Sequence, residues 1–220
     1  LTLRTTQRKV FDVYDRLAMG ALGRQSDIES VRLAAIDTAH REGFQRSEDD
    51  VSIQRLVGFG LSPAVKRVYN DQRAIPLTIR ALFAEVNRTP EQDHYFTLDY
   101  AGEFRTGAGC AVAAGTAHAE EQAADSLRAA APGTLAEALR AALAAWGIAR
   151  TRLSPSPEKV DDDGDEPLGQ DPAGAIREAL ASGAGVEAAL LERNPSRESR
   201  FRLLAADEIE PALAAYRSAP

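Results

Sequence analysis

Three histidines, one cysteine, three lysines and a short acidic run are the residues of this 220-residue chain whose types could do chemistry. His40, His94 and His118 share no metal-ligand spacing and lack carboxylate partners at i+3 or i+4 in an array that would hold zinc. They read as structural or surface residues. Cys110 stands alone, so the chain has no internal disulfide and no cysteine-based metal site, and it reads as a small buried core residue of a reducing compartment. Gly107-Ala108-Gly109 lacks the third glycine of a dinucleotide loop and leads toward a strand where a helix should open. The run Asp161-Asp162-Asp163-Gly164-Asp165-Glu166 lacks the ligand alternation and distal glutamate of a calcium loop. From this inventory no cofactor and no metal are expected. The lysines remain: Lys9, Lys66 and Lys159 are the only ones among 26 basic residues. Lys9 opens a strand, which is a rigid place from which to present a compact ammonium; at a strand edge such a lysine also discourages association.

The elements that must position these residues follow from composition and pattern. A 44% hydrophobic, 27% charged chain can bury a sizeable core. The excess of 33 acidic over 26 basic residues, a net charge of −7, argues against phosphate-backbone binding, so no nucleic acid partner is expected. No apolar run approaches the roughly 20 residues of a membrane helix, and no basic-then-apolar leader opens the chain, so a cytoplasmic protein away from membranes is expected.

Residues 9–14 and 17–22, rich in β-branched and apolar side chains, predict a hairpin turning at Asp15-Arg16, with Gly20 and Gly23 marking close packing or a bend. Ser26-Asp27-Ile28-Glu29 has the form of a capping box, and Ile28, Val31, Ala35 and Ala39 form one helical stripe behind it. A second helix follows Ser47–Asp50, with Pro63 predicting a kink or a restart capped by Ser62. Residues 77–86 read as a strand covered on both faces, 94–100 as another, and 110–114 as a third. Helices are predicted over 117–130 and from the capping box Thr134-Leu135-Ala136-Glu137, the latter with a stripe of Leu135, Leu139, Ala142, Leu143 and Trp146. Residues 151–172, with four prolines and the acidic run, read as a mobile surface insertion. A strand pair at 186–191 and 201–204 and a helix over 207–216 close the chain. Blocks of strands alternating with pairs of helices favour an α+β fold of two antiparallel sheets stacked on each other with helices outside.

In this order the segments resemble a known family. Lys9-Val-Phe-Asp-Val-Tyr-Asp-Arg-Leu running through Gly20-Ala-Leu-Gly to Asp27 is similar to the hairpin of proteasome subunits, most of all the α-type subunits of actinobacteria. Ala81-Leu-Phe-Ala-Glu-Val, Tyr95-Phe-Thr-Leu-Asp-Tyr-Ala-Gly, Ala113-Ala-Gly-Thr, Leu135-Ala-Glu-Ala-Leu-Arg and Val186-Glu-Ala-Ala-Leu-Leu-Glu before Arg200-Phe-Arg agree in sequence order. The resemblance spans nearly the whole chain except the acidic insertion. It implies the αββα four-layer sandwich of N-terminal-nucleophile hydrolases over residues 1–220 as a single domain. The family carries two further strands ahead of this lysine, and in α-type subunits a helix and gate segment. Only eight residues precede Lys9 here. The expectation is a chain truncated or processed upstream of Leu1, or a sandwich incomplete at its N-terminus.

The resemblance gives Lys9 two uses. In catalytic β-type subunits the corresponding lysine assists an N-terminal threonine nucleophile; in α-type subunits it lines a pocket between ring neighbours and receives the C-terminal carboxylate of an ATPase activator. Thr5 and Thr6 lie too close to Lys9 in the chain for the family's nucleophile spacing, and the acid between nucleophile and lysine has no counterpart. No catalytic residue is therefore assigned, and Lys9 is expected to bind a partner. The expected function is that of a non-catalytic α-type, or α-like, core subunit. Its ring would control substrate access to a chamber of proteasome β-type subunits within a threonine-type endopeptidase complex, with neighbouring α-type subunits and an ATPase ring as partners. A β-type or ancestral threonine peptidase whose nucleophile segment is absent here, and a degenerate scaffold of the same fold, stay open beside it.

Overall fold

The computed structural model describes residues 8–151 and 171–217. Thr5, Thr6 and almost all of the acidic insertion, residues 152–170, lie outside them. The chain forms two compact units, residues 1–113 with 187–204 and residues 114–186 with 205–220. Among the described residues, two antiparallel sheets and six α-helices make it an α+β protein, as the pattern predicts.

The first unit is built on a five-stranded sheet in the order β1 (Val10–Tyr14), β2 (Leu17–Gly23), β3 (Ile79–Glu85), β4 (His94–Leu98), β5 (Phe104–Gly107), antiparallel throughout. Because strand side chains alternate between faces, register decides which ones meet. Phe11 faces Met19, Met19 faces Phe83 and Phe83 faces Phe96, so one row of large apolar groups crosses four strands. Helix α1 (Gln25–Gln45) lays Ile28, Val31, Ala35 and Ala39 into the same core, so the predicted stripe is found buried. β3 alternates fully buried with half-buried positions, so its second face is less covered than its apolar run suggested.

Two predicted caps are absent. α1 starts two residues earlier than the Ser26 box requires, with Arg24 as its N-cap; Ser26 instead donates to Asp27 Oδ1, whose other oxygen accepts from the Thr78 amide at 2.8 Å. At Pro63 the helix neither breaks nor restarts. A π-helical stretch, Gln54–Leu61, runs straight into α2 (Ser62–Asn70), with the Ser62 amide donating to the Val57 carbonyl five residues back. Proline has no N–H to donate and its ring crowds the carbonyl four residues before it, and the wider turn ahead of Pro63 relieves both. The Ser62 hydroxyl is then free to donate to Gly102 O at 2.6 Å, holding the β4–β5 turn, which Asp99 closes by accepting from the Ala101 and Glu103 amides.

The third predicted strand, 110–114, does not form. β5 ends at Gly107, where the chain folds back so tightly that a Cβ would stand 2.1 Å from the Cys110 carbonyl oxygen, and Gly109 follows at φ +74°. Cys110 is half-buried and not in the core.

The second sheet is the short hairpin of β6 (Ala189–Leu191) and β7 (Phe201–Leu203). Arginines fasten it to the turns of the large sheet. Arg193 grips Asp93 through both carboxylate oxygens, at 3.0 and 2.8 Å, and donates to Asn87 O; Arg200 reaches Asp15 at 3.2 Å. Such bidentate pairs fix geometry as well as charge.

The second unit holds α3 (Ala117–Ala130), α4 (Leu135–Thr151), α5 (Pro172–Ala181) and α6 (Ala206–Arg217). The capping box of α4 is formed: Glu137 accepts from the Gly133 and Thr134 amides at 2.9 and 3.1 Å, and Thr134 Oγ1 accepts from Glu137 N at 3.3 Å. Its stripe differs from the prediction. Leu139 and Leu143 are buried, while Ala142 and Trp146 face solvent, because α3, α5 and α6 pack on this alanine-rich helix from several sides and burial no longer follows one face. Gly147 lets the start of α5 approach, since a Cβ there would lie 2.5 Å from Pro172 O. α5 itself was not foreseen, although Asp171 caps it by accepting from Ala173 and Gly174 N and Pro172 fills its first turn.

Gly23→Ala should destabilise the protein by about 2 kcal/mol or more, because φ is +134° and the new Cβ would sit 2.0 Å from Thr78 O. Denaturant unfolding checks this, and a change within experimental error would contradict it. Glu137→Gln should lower the melting temperature at neutral pH. The Gly133 amide and the Thr134 partners hold the Glu137 carboxyl below its ordinary value. Its contribution is thus present above the unfolded pKa and lost as pH falls through the lower folded one, so the two proteins should converge in acid.

Candidate functional site

Lys9 stands at the open end of β1, which is an edge strand of the large sheet. Its carbonyl accepts from Ala21 N at 2.9 Å, carrying the hairpin ladder one residue beyond the strand. Its own amide turns to Glu187, donating to Oε2 at 2.9 Å, and the next amide, of Val10, donates to Oε1 of the same carboxylate at 3.4 Å. Glu187 lies just ahead of β6. By strand alternation the Lys9 side chain shares a face with Phe11 and Val13, beyond the row that α1 covers. Lys9 is half-buried, and among the described residues its ammonium makes no hydrogen bond or ion pair.

The arrangement suits one chemical task. The main chain is held on both sides while the ammonium keeps three donors with no acceptor among the described residues, and an ammonium so placed can form a charge-assisted bond with a carboxylate. On the same strand, the Asp12 carboxyl has a raised pKa, through desolvation first and the nearby Asp15 charge, against a lowering bond from the Val13 amide.

A second constellation lies at the turn end of the sheet, where Arg16, Asp49, Asn87, Arg88, Gln92 and His94 line an open recess. Arg16 is already committed. It donates to Asn87 Oδ1 at 2.6 Å, to Asp49 O at 2.7 Å and to Val51 O at 3.1 Å, and pairs with the buried Glu85 at 3.4 Å. Glu85 accepts from Ile53 N at 2.8 Å with its other oxygen. These contacts tie the β1–β2 turn to the segment entering the π-helix, which is structural work, and no hydroxyl or thiol lines the recess. His94 stands 3.4 Å from the Asn87 amide, and His40 packs edge-on against Tyr14. Among the described residues no three histidine, cysteine or acidic side chains gather into a metal-binding group, and no helix is long and apolar enough to cross a membrane.

Sequence reading singled out Lys9 and overlooked Glu187, Glu85 and the Arg193–Asp93 pair. Glu187 is 178 residues from Lys9, and nothing local marks an acid that binds a distant main chain.

No family model matches the chain. A protein of Actinosynnema mirum described as proteasome subunit alpha is 34% identical over 98 residues, covering 44% of this chain and 36% of its own length. One of the same description from Kineococcus radiotolerans is 30% identical over 141 residues, covering 63% of this chain and 57% of its own length. A third, from Streptosporangium roseum, is 29% identical over 140 residues, covering 61% and 51%. The matched part of the chain thus spans from about a third to just over half of the length of these curated relatives. Over these stretches the chain is similar to actinobacterial proteins described as proteasome subunit alpha.

Proposed function

We propose that the chain serves as a non-catalytic, α-type proteasome core subunit in the cytoplasm. It stacks in a ring on β-type subunits and controls substrate access to their proteolytic chamber. The observation that carries this reading is the likeness to three proteins described as proteasome subunit alpha. Residues 1–220 then form one domain, the four-layer αββα sandwich, and neighbouring α-type subunits complete the ring. Lys9 supplies the docking point for the C-terminal carboxylate of an ATPase activator. Its ammonium makes no hydrogen bond or ion pair among the described residues, which supports that role because its three donors are then open to a partner's carboxylate.

Co-expression of the full chain with an actinobacterial β-type subunit, followed by native mass spectrometry, tests the assembly. A mixed complex of both chains is expected, and two chains that never associate would overturn the reading. The chain alone should leave short fluorogenic peptides uncut. Turnover that copurifies with it and vanishes in Lys9→Ala would establish the peptidase reading instead. In the mixed complex, Lys9→Ala should weaken binding of a carboxylate-terminated activator tail roughly tenfold to a hundredfold, the worth of one partly desolvated ammonium–carboxylate bond. Lys9→Arg should restore part of it.

A further inference from the structure

We infer that Glu187 is the positioning residue for Lys9, fixing the main chain beneath the ammonium while leaving the ammonium unneutralised for a partner's carboxylate. The inference rests on the docking role proposed for Lys9 and deepens it. Three observations carry it.

The first is the pattern of contacts. A glutamate beside a lysine ordinarily pairs with its side chain, yet Glu187 binds the Lys9 and Val10 amides at 2.9 and 3.4 Å and no ion pair with the Lys9 ammonium forms. The second is the position of Lys9 on an edge strand, at the last rung of its ladder, where only the carbonyl is held by the sheet through Ala21 N. Without Glu187 the amide side of this residue would have no protein partner among the described residues, and a strand end held on one side frays. The third is that Glu187 stands on a fixed support. The Leu204 amide donates to Ala188 O at 2.9 Å next to it, and Arg193 and Arg200 fasten the far end of the same hairpin to Asp93 and Asp15.

A flexible lysine side chain loses rotamer freedom when it binds, so a wandering main chain beneath it would add a further ordering cost to docking. Glu187 removes that second cost. The same carboxylate has an opposite electrostatic tendency, since a negative charge close to the site disfavours an incoming carboxylate. The two effects predict changes of opposite sign when Glu187 is removed, and the geometry points to positioning because the charge is spent on two amides.

The test uses the full chain assembled with its β-type partner. The probe is a fluorescein-labelled hexapeptide library with a free C-terminal carboxylate, and the same library amidated is the control. Binding is read by anisotropy. Glu187→Ala should lower affinity for the free-carboxylate library about tenfold, equal to about 1.4 kcal/mol, and leave the amidated library unaffected. Glu187→Gln keeps one acceptor for the Lys9 amide and should recover part of the loss. Unchanged or tighter binding in Glu187→Ala, with Lys9→Ala still impaired, would overturn the positioning role and leave the lysine's docking role standing. Equal binding of the free and amidated libraries by the unmodified protein would overturn both. Should Glu187→Ala not fold, amide exchange in the unmodified protein decides: Lys9 and Val10 should be protected relative to Arg8, and exchange as fast as Arg8 would refute the inference. Reductive ¹³C-methylation gives a further readout, because only three lysine signals arise from this chain. The Lys9 signal should narrow toward a random-coil shift in Glu187→Ala while that of Lys66 stays in place.

Discussion

The register of β2 against β3 is the constraint on which the first unit depends. β2 and β3 pair along their whole length, from Leu17 with Glu85 to Gly23 with Ile79, and they are the only two neighbours in the sheet that match seven residues against seven. A slip of one residue would turn Met19 or Phe83 away from the core they share with α1 and bring a smaller neighbour such as Gly20 or Ala84 inward. Gly23 ends the match at a φ no other residue type adopts without strain, with its hydrogen in the space a Cβ would need against Thr78 O. The register is therefore fixed at one end by glycine and along its length by the row from Phe11 to Phe96.

Around that sheet, carboxylates act repeatedly as acceptors for the main chain of other segments. Glu85 holds Ile53 N, Asp27 holds Thr78 N, Asp93 holds Asn87 N and Glu187 holds Lys9 N. Each satisfies an amide that the sheet or helix beside it leaves unpaired, and an unpaired amide out of water costs about as much as a lost hydrogen bond. Glu85 and Asp93 also take an arginine each, so the charge that would otherwise make their burial costly is balanced within the same contact. The acidic excess of the composition is thus partly structural, built into joints between segments, three of the four far apart in the chain.

What was legible in the sequence was what local pattern controls. The opening hairpin, the stripe of α1, the α4 capping box and the β6–β7 pair each depend on residues within a few positions, and each is found where the pattern puts it. The failures share a cause. Ser26 has the right neighbours for a cap, but Asp27 is drawn to Thr78 and the helix starts earlier. Trp146 lies on the apolar stripe of α4, yet three helices contact α4 and the stripe loses its meaning. Residues 110–114 are apolar enough for a strand, but the fold-back at Gly107 takes them off the sheet. Of the candidate site, Lys9 was legible because lysine is rare here and its hairpin resembles a family; Glu187 was not, because its partner is a backbone amide with no sequence signature.

The same scarcity bears on function. Arginine carries most of this chain's positive charge and makes the ion pairs described above, from Arg16 with Glu85 to Arg193 with Asp93 and Arg200 with Asp15. Its planar fork suits fixed bidentate contacts inside the protein, whereas a lysine ammonium is compact, rotatable and suited to a guest of variable approach. Among the described residues, arginines make these joints while the ammonium of Lys9, at a sheet edge, makes no ion pair, which separates the two tasks by residue type. That separation fits the docking role proposed for Lys9, since Glu187 is bound to the backbone and not to the ammonium.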